Sequence, residues 1–105
     1  MFIQVNTDHS IQSHEDVTRF VEEVVNSKLR ALSGRITRVE VHLGDENAQK
    51  GGADDKRCMV EARIEGRPPT AVTHHDETLK KAVTGAAEKL RAALDSELGK
   101  LSDRR

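Results

Sequence analysis

One stretch constrains the fold of this chain more than any other. It runs from Lys56 to Ala87, KRCMVEARIEGRPPTAVTHHDETLKKAVTGAA, and its hydrophobic period changes midway. Cys58, Val60, Ala62 and Ile64 put an apolar side chain on every second residue, with Arg57, Glu61, Arg63 and Glu65 between them. That is the period of a half-buried strand. Gly66 to Pro69 then reads as a tight reversal into a returning strand. Beyond Asp76 the spacing switches to threes and fours. Leu79, Val83, Ala86, Ala87, Leu90 and Leu94 fall on one stripe of a helix. A hairpin with one wet face and a helix with one apolar stripe must close on each other.

The preceding half supplies the same ingredients. Phe2 to Asn6 reads as a short strand, with Ile3 and Val5 facing one way and Gln4 and Asn6 the other, followed by a turn around Asp8 to Gln12. Ser13 is placed as the N-cap of a helix whose first turn carries Glu15 and Asp16, acids that complement the free N–H groups and the helix dipole. Val17, Phe20, Val21, Val24 and Val25 give that helix its stripe, Leu29 and Leu32 extend it, and Ser33-Gly34 stops it. In Ile36 to Leu43, Val39, Val41 and Leu43 alternate with Arg38, Glu40 and His42, which predicts another strand; Gly44 to Asp55 reads as a polar hairpin loop.

The order β-α-β-β-β-α predicts an α+β two-layer sandwich. A four-stranded sheet carries both helices on one face and leaves the other open to water. A length of 105 residues fits a single domain, 1–105. With two Phe and no Trp or Tyr, the core has to be built from Val, Leu, Ile and Ala. No apolar run approaches the roughly 20 residues that span a bilayer, and MFIQVNTD lacks a basic segment followed by an apolar one, so no membrane role is expected and the chain reads as cytoplasmic. Cys58 is the only cysteine. It excludes an intrachain disulfide and a cysteine-based zinc cluster, and its place in the strand pattern makes it a buried hydrophobe.

The pieces FIQVN, RFVEEVVNSKLRAL followed by GRITRVEVHL, VEARIEG and LKKAVTGAAEKLRAAL, in that order and spacing, resemble the ribosome hibernation promoting factors, also called ribosome-associated inhibitors or ribosomal subunit interface proteins. The resemblance spans nearly the whole chain. It implies a fold similar to the double-stranded-RNA-binding domain, binding to the RNA of the small ribosomal subunit, suppression of translation under stress, and neither catalysis nor a cofactor. One departure is plain. Asp95 and Glu97 stand toward the end of the second helix, where the family is typically rich in Lys and Arg, and the first helix carries Glu22 and Glu23.

A net charge of −1 gives no general attraction for nucleic acid, so RNA binding has to come from local arrangement. The candidate contacts are Lys28 and Arg30 on the first helix with Lys80, Lys81, Lys89 and Arg91 on the second, positioned against phosphates without reading bases. The bland alternative is a solvated helix face balanced by Glu77, Glu88 and Asp95. A second set lies on the open sheet face: Arg38, Arg57 and Arg63, with Arg35 and Arg67 at strand ends. No aromatic residue is expected among them for base stacking, and cross-strand pairing with Glu40, Glu61 and Glu65 is the duller explanation. The open face or an edge strand is the alternative route to a protein partner or a homodimer.

His74, His75 and Asp76, with His9, His14 and His42 as distant partners, are the conspicuous candidates for a metal site. Adjacent residues on a strand point to opposite faces, which separates His74 from His75 and favours no metal. Asp76 or Thr78 is expected to cap the second helix. There is no glycine-framed serine, and Gly51-Gly52 lacks the lysine and hydroxyl residue of a phosphate-binding loop, so no enzyme is expected.

Overall fold

The computed structural model describes residues 1–8, 14–45 and 56–103. Its elements are β1 (Phe2–Thr7), α1 (His14–Lys28), a 3-10 turn (Arg30–Leu32), β2 (Ile36–Asp45), β3 (Lys56–Ile64), β4 (Thr70–Asp76) and α2 (Leu79–Asp103). The Ser13 cap, His9, nearly all of the Asp8–Gln12 turn and most of the Gly44–Asp55 loop lie outside the described residues, as does the side chain of His14.

The strands form one sheet in the order β1-β2-β3-β4. β1 pairs with β2 in parallel, Val5 opposite Val41, across the α1 connection. β2, β3 and β4 then follow as antiparallel neighbours, Val41 opposite Val60 and Val60 opposite Val72. At the end of β3 the Arg67 N–H donates to the Ile64 carbonyl at 3.0 Å, and Gly66 takes the left-handed φ of +80° that glycine tolerates at such a reversal.

Alternation decides what each face carries. Val39, Val41 and Leu43 of β2 and Cys58, Val60 and Ala62 of β3 are buried on the inner face, against Val21 and Val25 of α1, Leu29 just beyond it, and Ala82, Val83, Ala86, Ala87, Leu90 and Leu94 of α2. Ile36 is buried as well, although its three-residue distance from Val39 puts it out of phase with that alternation. A bulge reconciles them. Ile36 faces Ile64 while Arg38 faces Arg63, so Thr37 is an extra residue on β2, tied by its hydroxyl to the Arg63 carbonyl at 3.1 Å.

The helices begin and end for local reasons. Thr78 caps α2, its side-chain oxygen accepting from the Lys81 N–H at 3.1 Å, while Asp76 accepts from the Glu77 N–H at 2.8 Å. α1 stops at Lys28. The expected continuation through Leu29 and Leu32 is the 3-10 turn, which still keeps Leu29 buried and Leu32 packed against the core. Lys80 sits over Phe20 and Lys28 reaches Glu88, two contacts that advance together along both helices. α1 and α2 therefore run side by side in the same direction on one face of the sheet.

Candidate nucleic-acid interface

The six cations proposed for RNA fall into three groups. Lys28 and Arg91 meet at the seam between the helices. Lys28 Nζ stands 3.0 Å from Glu88 Oε2, and Arg91 shares its Nε proton between the two Asp95 carboxylate oxygens at 3.0 and 3.1 Å while Nη1 donates to the Lys28 carbonyl at 3.1 Å. Arg91 thus supplies a partner to one of the carbonyls that the end of α1 leaves without an intrahelical N–H. It is a structural residue as much as a surface charge.

Lys80, Lys81 and Lys89 lie along the exposed surface of α2. Lys80 Nζ is 5.7 Å from the centroid of the Phe20 ring, Lys81 pairs with Glu77 one turn back, and Lys89 donates to the Thr73 carbonyl of β4 at 3.3 Å. These three, with His74, Thr84 and Gly85, line an open groove of about 650 Å³ between α2 and β4. Arg30 is exposed on the 3-10 turn just past the end of α1. The acids that the sequence offered as balancing partners, Glu77, Glu88 and Asp95, are the ones that pair with Lys81, Lys28 and Arg91. What stands out toward solvent is Lys80, Lys89 and Arg30.

On the open face the expected pairing takes a different form. The register sets Arg38 opposite Arg63 and Glu40 opposite Glu61, like against like. The charges compensate along each strand instead, Arg38 to Glu40 at 2.7 Å and Arg63 to Glu61 at 3.8 Å, because neighbours two apart share a face. Arg38 also donates to Gln4. Arg67 turns toward α2, 3.0 Å from Glu97. Nor is the face free of aromatics: Phe2, 60% exposed, lies beside Arg38, whose guanidinium carbon is 5.6 Å from the ring centroid. The alternation that put Gln4 and Asn6 on this side carries Phe2 with them, and that was the available signal.

His74 and His75 part company as strand geometry requires. His74 lies opposite buried Cys58 and rests against α2, with Nε2 3.1 Å from Asp76 Oδ2; His75 lies opposite Arg57 on the open face. Among the described residues no three His, Cys, Asp or Glu side chains converge as metal ligands. Cys58 is buried, and that burial pushes its thiol up to about 12, against a smaller opposing influence of the Arg57 charge. No helix is long and apolar enough to cross a membrane among the described residues.

The architecture has close parallels among solved structures. The N-terminal domain of Protein Y from Thermus thermophilus superposes with a TM-score of 0.70 at 17% identity, covering 89% of this chain and 94% of that one. A ribosomal subunit interface protein from Coxiella burnetii gives a TM-score of 0.69 at 16% identity, covering 94% and 99%. No curated protein matches the chain in sequence. Identities this low speak for the fold alone, but the family model described as Sigma 54 modulation protein / S30EA ribosomal protein matches residues 9–102, and the chain belongs to that family.

Proposed function

We propose that this protein associates with the ribosome, binds the RNA of the small subunit through the cations of its helical layer, and thereby suppresses translation under stress. The family match across residues 9–102 carries this reading. In it the protein is a cytoplasmic binding factor and not an enzyme, and it works without a cofactor. Lys80, Lys81 and Lys89 along the α2 groove make the main phosphate contacts, and Arg30, Lys28 and Arg91 extend them along α1 and the seam.

The ion pairs do not forbid this role. An exposed pair is worth about 0–1 kcal/mol, so Lys28 or Lys81 exchanges its carboxylate for a phosphate at little cost. The acids remain nearby, however, and the net charge is −1, so binding is short-ranged and steeply salt-dependent.

Co-sedimentation with purified small subunits, from about 50 to about 200 mM salt, tests the proposal. The protein is expected to pellet at low salt and to be released as salt rises. The triple variant Lys80→Glu, Lys81→Glu, Lys89→Glu should stay in the supernatant with an unchanged helical circular-dichroism signal. A native chain that fails to pellet even at low salt overturns the ribosome reading.

A further inference from the structure

The sheet has two outer strands, β1 and β4, neither of which pairs with a further strand among the described residues, and their edges are not protected alike. β4 follows Pro68 and Pro69, ends in His74, His75 and Asp76, and has the Lys89 ammonium laid against its Thr73 carbonyl. Those are the devices that keep an edge from pairing with another chain. β1 has none of them. Phe2–Thr7 contains no charged residue and no proline.

Its backbone is also suitably aimed. The Asp8 N–H donates to the Leu43 carbonyl at 3.2 Å, which turns the even-numbered residues of β1 toward β2. By strand alternation the N–H and C=O groups of Ile3 and Val5 point out of the sheet edge. Alongside them Phe2 is the exposed large hydrophobic side chain among the described residues, and Ile3 and Val5 are only half-buried on the helix side.

We propose that the outward groups of Ile3 and Val5 make the outer edge of β1 a homodimerisation surface, on which β1 of a second copy adds antiparallel about a twofold axis at Gln4. The self-match decides the occupant. In this register Ile3 exchanges backbone hydrogen bonds with Val5 of the second copy, and their side chains meet on the helix side. On the open side Gln4 faces Gln4 and Phe2 faces Asn6, so no like charges meet within the strand pair. The twofold axis is normal to the sheet and joins two four-stranded sheets into one of eight strands, with all the helices on the same side. The open face is the poorer route, since its arginines and glutamates are already compensated along their strands. This inference does not rest on ribosome binding.

Sedimentation velocity of the full chain from about 1 μM to about 1 mM, with amide hydrogen exchange over the same range, tests it. The expected result is a mass that doubles with concentration, accompanied by rising protection of the Ile3 and Val5 amides. Val5→Pro removes an outward N–H without touching the ladder to β2, and because the loss occurs twice in the dimer, the dissociation constant should rise about tenfold or more. A chain that remains monomeric throughout overturns the proposal. So does a dimer in which the Ile3 and Val5 amides stay unprotected, because its interface lies elsewhere. Should the proline variant fail to fold, the exchange data on the native chain still decide.

Discussion

The imidazole of His74 occupies the space that a side chain at Gly85 would need. A Cβ built on Gly85 would stand 2.3 Å from His74 Cδ2 and 2.4 Å from Nε2. A glycine inside a helix ordinarily costs roughly 0.5–1 kcal/mol relative to alanine. Here it lets α2 settle onto the edge of the sheet with the ring between them.

Gly85→Ala is therefore expected to reverse the usual sign. Instead of stabilising, it should cost about 1–3 kcal/mol through overpacking against His74. In a His74→Ala background the same change should become neutral or stabilising, a coupling that urea denaturation of the four proteins would measure. Additive effects would place the ring elsewhere.

Arg91 joins the helices through the Lys28 carbonyl, and Asp95 holds its guanidinium from the far side. Arg91→Ala should cost about 1 kcal/mol in a denaturation experiment, since the end of α1 loses its partner. Asp95→Asn should change stability by less than that, because it disturbs only an exposed ion pair. Equal losses in the two variants would show that the pair, and not the carbonyl contact, is what matters.

Asp76 gives the acid limb of stability a specific contributor. The Glu77 N–H first, and the His74 imidazole second, hold its carboxyl below the ordinary 3.8. A depressed folded-state value means that the stabilisation is present above pH 3.8 and is lost as pH falls through the lower, folded value. Asp76→Asn should melt below the native protein at pH 7, and the two melting curves should converge as the pH drops under 3.8. A constant separation across that range would contradict the assignment.

Cys58 should be unreactive toward thiol reagents at pH 8 while the protein is folded, and should react at one thiol per chain on unfolding. The alkaline side follows with the opposite sign. As pH rises from 9 toward about 12 the unfolded chain releases a proton that the folded chain keeps, so stability falls, and Cys58→Ala should lack that share of the loss. Rapid native labelling would mean that the strand opens far more readily than its burial allows.

Most of the fold was legible because period and burial coincide. The alternation in Val39–Leu43 and Cys58–Ala62 and the stripe from Leu79 to Leu94 each name the inner face without reference to the other elements. Where that coincidence fails, spacing alone does not give the structure. The bulge at Thr37 leaves no local mark, and the end of α1 at Lys28 is set by a 3-10 turn that keeps Leu29 and Leu32 on the same stripe.

The candidate site was legible only in its inventory. Glu77 with Lys81, across the start of α2, and Asp95 with Arg91, within it, are four apart in sequence and can be paired from spacing alone. Lys28 with Glu88, and Arg91 with the Lys28 carbonyl, depend on how two helices slide past each other, which no spacing within either helix encodes. The same holds for the sheet, where a two-residue rule joins Arg38 to Glu40 but only the inter-strand register sets Arg38 against Arg63.

The bond from Arg91 to the Lys28 carbonyl spans 63 positions of sequence. During synthesis the first helix emerges with its last turn unsealed and waits for another 63 residues before its closing partner arrives. Completion of the N-terminal helix is thus coupled to the arrival of the C-terminal one, and an interrupted nascent chain shorter than that carries a frayed first helix.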